Sequence, residues 1–419
     1  MSNVKDLCKG IFGCNCGKDH LCPIDYIEIG HDILPKIDEM CANYKKIHLV
    51  ADSNTFRVCG ETVMNILGKK VISYVVFDTP DFVLIPDEKA IEKIENSMAD
   101  DTDIIVGVGS GVINDLCKYV SHKNGLPYYI VATAPSMDGY ASVGSALILN
   151  GMKVTLGANP PKGIIADTAV LANAPFPMIQ AGWGDIIGKY SCLNDWKLSA
   201  LINGEYFCQR VYDLTMDTTD RVRELAARVK DREETAVGEL MEALVTVGIA
   251  MSYVGNSRPA SGSEHHLSHF FEITGILDGK EYFPHGIDVI YSAVATAALR
   301  EKIANGEPHE FIFDRTEWEK NINDIYTSSA DEVVALQNKM GWYTDADRDS
   351  VFDNLAEIKK VLKEAPTEQE MLSLLREIGL DYKEFVELYG AEKIDNSLLF
   401  AKDLKDRYSV LWLNYKYFK

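Results

Sequence analysis

Positive charge is scarce in this chain: 42 Lys and Arg stand against 63 Asp and Glu, a formal charge of −21 over 419 residues. That balance repels nucleic acid and anionic membrane, so a phosphate-bearing ligand needs a local pocket rather than a global field. The acidic excess otherwise reads as solvated surface. No run approaches the ~20 apolar residues of a membrane span. The opening M-S-N-V-K-D-L-C-K-G lacks the apolar core of a signal peptide, so a cytoplasmic protein without membrane insertion is expected. A secreted disulfide framework is missing as well. Nine cysteines is an odd count, and Cys41, Cys59, Cys117, Cys192 and Cys208 are scattered singly. No internal repeat is present.

What remains is an ordinary globular composition, 47% apolar and 25% charged, in a chain too long for one comfortable core. Two domains are expected. From Ile47 the runs I-H-L-V-A-D-S, K-V-I-S-Y-V-V-F, D-I-I-V-G-V-G and P-Y-Y-I-V-A-T-A are short, apolar and β-branched, as parallel strands covered on both faces should be. Between them, T-F-R-V-C-G-E-T-V-M-N-I-L, E-K-A-I-E-K-I-E-N-S-M and V-I-N-D-L-C-K-Y-V show helical apolar spacing. Alternating strand and helix imply right-handed crossovers and an open, Rossmann-like, doubly wound parallel sheet.

Next, A-S-V-G-S-A-L-I-L-N-G-M-K-V-T-L-G-A reads as a hairpin with a type I′ turn at Asn150-Gly151, and G-I-I-A-D-T-A-V-L as one more strand. After Pro175 long amphipathic patterns replace strands. The expected division is an α/β domain over residues 1–175 and an all-helical domain over 176–419. Within the latter, Glu357 to Glu377 reads as surface helix on both sides of Pro366.

Chemistry is concentrated in a few segments. G-V-G-S-G-V-I-N-D, Gly107 to Asp115, lies where a buried strand hands over to a helix whose unpaired N–H groups suit a pyrophosphate. Tight strand-to-helix packing explains the glycines equally well, but a place at the carboxyl end of a strand favours the phosphate cradle. Asp52 ends the first of these strands and suits either a ribose hydroxyl or a helix N-cap. T-A-P-S-M-D-G-Y-A-S, Thr133 to Ser142, brings hydroxyls and Asp138 to the end of another strand, where plain turn chemistry is the alternative.

Only nine histidines are present, and three of them fall close together: His265 and His269 in S-G-S-E-H-H-L-S-H, and His285 in P-H-G-I-D. Spacing i to i+4 puts His265 and His269 on one side of a helix, with His266 pointing elsewhere. Ser261 and Glu264 stand as a capping box to start that helix. With Asp185, from G-W-G-D-I-I-G-K-Y, these imidazoles form a ligand set for zinc, nickel or iron(II) that leaves a position open for substrate. For Lys189, one turn after Asp185, an intrahelical ion pair is the plain alternative. Arg258 can meet a substrate phosphate, though a place on the surface is the favoured reading. Cys8, Cys14, Cys16 and Cys22, with His20 among them, suit either zinc or a small reduced hairpin turning at G-C-N-C-G, and the hairpin is favoured.

Taken in order, G-V-G-S-G-V-I-N-D-L, T-A-P-S-M-D-G-Y-A-S, A-G-W-G-D-I-I-G-K-Y, S-R-P-A-S-G-S-E-H-H-L-S-H and P-H-G resemble the sn-glycerol-1-phosphate dehydrogenases. The AraM-like bacterial branch is the nearest likeness, because its members also begin with a segment like C-N-C-G-K-D-H. These enzymes belong to the superfamily of glycerol dehydrogenase, iron-containing alcohol dehydrogenases and dehydroquinate synthase. The resemblance implies that Asp185, His265 and His285 hold one divalent metal per chain, zinc or nickel. It implies that His269 contacts substrate instead, together with Asp138 and Asp185. Gly111, Val112, Ile113, Asn114, Asp115, Thr133, Ala134, Pro135, Ser136, Ser142 and Asp52 would then line NAD(P)H. The implied reaction is reversible reduction of dihydroxyacetone phosphate to sn-glycerol 1-phosphate by a homodimer. Three rivals stand beside it: a dehydroquinate synthase-like cyclase using NAD catalytically, a dehydrogenase of glycerol or another unphosphorylated polyol, and a non-catalytic NAD(H) sensor.

Overall fold

The computed structural model describes residues 4–79, 84–149 and 152–419. Eight strands form: β1 (Tyr26–Gly30), β2 (Ile47–Asp52), β3 (Val71–Phe77), β4 (Ile104–Gly109), β5 (Tyr128–Ala132), β6 (Gly144–Leu149), β7 (Met152–Gly157) and β8 (Gly163–Asp167). Six of them make one sheet in the order β1-β8-β5-β4-β2-β3, and every pairing in it is parallel. Strands β4, β5 and β8 are buried along their whole length, which is why they read as unbroken apolar runs. The expected open α/β sheet is present.

One feature departs from the expectation. Edge strand β1 was not anticipated, since Y-I-E-I-G is short and only Ile27 is buried within it. The helix expected after β2 forms, running from Ser53 to Leu67 with a π turn over Phe56–Gly60. Strands β6 and β7 pair antiparallel as the expected hairpin, but its tip, Asn150-Gly151, lies outside the described residues.

Cα packing separates two compact units. One comprises residues 1–186 and 220–257, the other residues 187–219 and 258–419. In the first, the sheet is joined by helix Glu234–Val254, whose apolar residues are mostly buried within the protein. By length and composition this helix could cross a membrane, and it is the one described helix that could. Its burial is that of a core helix, and Glu239 and Glu242 interrupt the apolar run, in keeping with the absence of an unbroken apolar stretch in the sequence. The second unit has helices and no strand among its described residues, with helices Ser263–Asp278 and His285–Asn305 packed on each other. The segment around Pro366 forms helices Leu355–Leu362 and Glu368–Ile378, each with a buried apolar stripe.

Candidate active site and metal centre

Helix Gly111–Lys123 begins directly after β4, with Ser110 as N-cap. Its glycines divide by purpose. A Cβ on Gly107 would stand 2.8 Å from Cys117 Sγ, and one on Gly109 would stand 2.5 Å from Ile113 Cβ, so both glycines serve close strand-to-helix packing. Gly111 differs, since a Cβ there would meet only the flexible Met137 side chain, at 3.3 Å. Gly111, Val112 and Asp115 are partly exposed at the helix start, whereas Ile113 and Asn114 are buried. Asn114 accepts from Tyr128 Oη at 3.3 Å and faces Gly139 O, which makes it an internal brace.

Lys118 is the residue the sequence reading missed. Fully buried on the same helix, its ammonium donates to Gly139 O at 2.6 Å, Ser142 Oγ at 3.0 Å and Gly144 O at 3.0 Å. Burial draws its pKa down to about 8 despite the nearby Asp115 and Asp138. A lysine three residues after Asp115, among apolar neighbours, was the available signal.

Lys118 thereby pins the loop after β5. Thr133, Ala134 and Pro135 are buried there, and Ser136 is partly exposed. Tyr140 Oη donates to Ala134 O at 2.7 Å, and Ser252 Oγ donates to Ala141 O at 2.8 Å. Ser142 Oγ donates to Gly139 O and Gly144 O, so its hydroxyl serves the loop itself. Helix Phe176–Ile187 crosses the loop at Gly182, where a Cβ would lie 1.8 Å from Pro135 O. Asp185 is fully buried near the carboxyl end of that helix, where the helix dipole favours a cation, and its Oδ2 accepts from Asp138 N–H at 2.9 Å. Asp138 is itself buried. Asp52 serves as an N-cap: its Oδ1 accepts from Asn54 N–H at 2.8 Å and Thr55 N–H at 2.9 Å.

The histidines occupy two helix starts. His265 and His269 lie on Ser263–Asp278, and His285 is the first residue of His285–Asn305. Ring centroids stand 5.1 Å apart for His265 and His285, 5.6 Å for His269 and His285, and 6.2 Å for His265 and His269. His265 Nδ1 lies 2.7 Å from Glu264 Oε1, a contact that orients the ring and leaves Nε2 for a ligand. His266 is fully buried, both its ring nitrogens lack a hydrogen-bond partner among the described residues, and burial holds its pKa well below the usual range. His265 and His285 lie on helices packed on each other, and two imidazoles so placed suit a borderline divalent ion.

Three smaller expectations need correction. Ser261 does not cap its helix, which starts at Ser263 with Gly262 as N-cap. Glu264 does reach back to Gly262 N–H at 2.9 Å, but Ser263 N–H is taken by Asp195 Oδ2 at 2.7 Å. Lys189 does not share a helix with Asp185. The chain breaks at Gly188, and Lys189 Nζ donates to Ala260 O at 3.0 Å. Arg258 is buried, with Nη2 donating to Glu205 Oε2 and Tyr408 O, each at 2.7 Å. Neither spacing nor composition distinguishes such a buried clamp from a surface arginine.

Comparison with known proteins extends these observations. The family model described as iron-containing alcohol dehydrogenase matches residues 28–175. A glycerol-1-phosphate dehydrogenase acting with NAD(P)+ from Halalkalibacterium halodurans is 34% identical over 304 residues, 71% of this chain and 76% of that protein. The enzyme of the same name from Bacillus licheniformis is 30% identical over 96% of this chain and 92% of its own length. Among solved structures, a probable glycerol dehydrogenase from Sinorhizobium meliloti superposes with a TM-score of 0.60 at 18% identity, covering 90% of this chain and 87% of that one. That likeness concerns the fold alone. By the extent of the sequence likeness, the chain belongs to the glycerol-1-phosphate dehydrogenase family of the iron-containing alcohol dehydrogenases.

Proposed function

We propose that this protein catalyses the reversible, metal-dependent reduction of dihydroxyacetone phosphate to sn-glycerol 1-phosphate with NAD(P)H. The observation that carries the reading is the likeness to relatives named for this reaction, beside the His265 and His285 rings paired on two packed helices to hold a metal together with Asp185. The relatives named for this reaction match nearly the whole chain in one case and about three-quarters of their own length in another. In this reading zinc or nickel is held by those three residues. Residues 1–175 bind the dinucleotide, residues 176–419 handle metal and substrate, and the active form is a cytoplasmic homodimer.

The donor set fits such an ion, and Glu264 holds the His265 ring with Nε2 presented. When bound, the metal supplies Lewis acidity to the ketone oxygen and the nicotinamide supplies hydride. The chain supplies the rest. The start of helix Gly111–Lys123 cradles pyrophosphate, with Gly111 and Val112 at the contact and Asp115 beside them. The loop from Thr133 to Ser142, held rigid by Lys118 and Tyr140, fixes the nicotinamide ribose and aims Asp138 at substrate hydroxyls. Asp52, already capping its helix, accepts from the adenosine ribose. His269 orients the water or hydroxyl that returns a proton to the new alcohol oxygen, since an imidazole with pKa ~6.5 shuttles protons near neutrality. Hydride plus proton balances ketone to secondary alcohol.

The test is an absorbance assay of cofactor oxidation with dihydroxyacetone phosphate, NADH or NADPH, and added zinc or nickel. Turnover that requires the phosphorylated ketone supports the proposal. Equal turnover with unphosphorylated dihydroxyacetone would favour the polyol reading. Phosphate release without net NADH consumption would favour the cyclase, and no turnover with any of these would leave the sensor.

A further inference from the structure

The family reaction leaves a group of sulfur ligands near the amino terminus without a role. We propose that Cys14, Cys16 and His20 form a second metal site, distinct from the active centre, that takes zinc. One donor atom from each lies within 4.8 Å of the other two. Cys16 Sγ and His20 Nε2 are already 3.4 Å apart. In a tetrahedral zinc site with Zn–S of ~2.3 Å and Zn–N of ~2.0 Å, neighbouring ligands stand roughly 3.5 Å apart. Small side-chain movements therefore suffice.

The surroundings are built for a ligand. His20 is fully buried, and its Nδ1 lies 2.9 Å from Tyr253 O, so the ring donates there and turns Nε2 toward the sulfur. Ile11 and His20 pair as an antiparallel bridge with both bonds at 2.8 Å, and Gly17 N–H closes the turn on Cys14 O at 2.9 Å. Gly10 has φ +74°, and a Cβ there would lie 2.6 Å from His20 O, so the backbone alone dictates this loop. The hairpin has little apolar burial to hold it, because Phe12 and Leu21 are 66% and 60% exposed. A loop of this size without a core needs a staple. Two thiolates and an imidazole suit zinc, with water completing the shell, and binding releases two thiol protons to solvent. Cys8 and Cys22 lie beside each other instead.

Cobalt(II) titration of the metal-stripped full-length protein tests the site. A sulfur-to-cobalt charge-transfer band should grow to saturation at one equivalent. It should vanish in Cys14→Ser/Cys16→Ser and persist in Cys8→Ser/Cys22→Ser and in His265→Ala. In the zinc-bound native chain, Cys14 and Cys16 should resist a thiol reagent until a chelator is added, which needs no variant to fold. Absence of the band from the native chain, or its loss on replacing Cys8 and Cys22 rather than Cys14 and Cys16, overturns the proposal. A native chain lacking two titratable thiols through a Cys14–Cys16 disulfide does so equally. Because the Asp185 site contains no sulfur, failure here leaves the dehydrogenase reading standing.

Discussion

Replacing Gly182 by alanine isolates one contact on which the proposed active site depends. The added Cβ would fall 1.8 Å from Pro135 O and 2.8 Å from Pro135 C, whereas real Cβ contacts essentially never come below 3.0 Å. Helix Phe176–Ile187 or the loop after β5 must therefore retreat by at least ~1.2 Å. The obstacle is backbone, so no rotamer change relieves it. Overpacking of a tight interior costs ~1–3 kcal/mol, and a rigid carbonyl places this case at or above the upper end. The same retreat stretches the 2.9 Å bond from Asp138 N–H to Asp185 Oδ2, three residues further along the helix. A misplacement near 1 Å at reacting groups costs on the order of 100-fold in rate. Urea unfolding should show a stability loss of about 3 kcal/mol, and the cofactor-oxidation assay a kcat lower by roughly two orders of magnitude. Gly111→Ala is the stability control, since its Cβ meets only Met137, and it should unfold within about 1 kcal/mol of the parent. A Gly182→Ala protein as stable and as active as the parent would refute the argument.

Further outcomes follow from the same geometry. His265→Ala should abolish reduction and deplete metal, whereas His269→Ala should keep metal and lose rate, as read by elemental analysis beside the assay; equal metal loss in both contradicts that division. Glu264→Ala, which frees the His265 ring, should weaken metal affinity by roughly 10–100-fold in a competition titration, and unchanged affinity would show that the contact does not orient a ligand. Lys118, lowered from 10.5 to about 8, binds fewer protons folded than unfolded between those values. Parent stability should therefore rise by up to ~3 kcal/mol from pH 8 to 10.5 relative to Lys118→Met, and parallel pH profiles would disprove the shift. Arg258→Ala strands Glu205 and Tyr408 O, so it should cost about 3 kcal/mol of stability while leaving KM for the phosphorylated substrate unchanged; a large rise in KM would place Arg258 at the substrate instead.

Much of the sheet was legible because buried parallel strands are unmistakable as local runs. I-I-V-G-V-G and Y-Y-I-V-A are wholly buried, and nothing distant is needed to recognise them. Edge strand β1 escaped for the converse reason: a half-exposed strand carries no such signature. The i to i+4 histidine pair was equally visible, since helical periodicity places side chains on a shared face. Asp52 as an N-cap was one of two readings its place after β2 allowed. Hidden from local reading were the helix break at Gly188 and the capping of Ser263 by Asp195, both set by partners remote in the chain.

By itself the sequence determined the α/β alternation, the glycine turn after β4, and which histidines share a helix face, because each follows from neighbours a few residues apart. Tertiary structure alone decided that the helix opening at His285 packs on the one carrying His265, and that Gly182 crosses Pro135. It decided too that Lys118 and Arg258 lie buried as clamps, and that His20 is buried beside Cys16. The physical reason is common to all of these. Local periodicity orients a side chain about its own helix or strand, but which element it meets depends on how whole elements pack, and that carries no short-range signature.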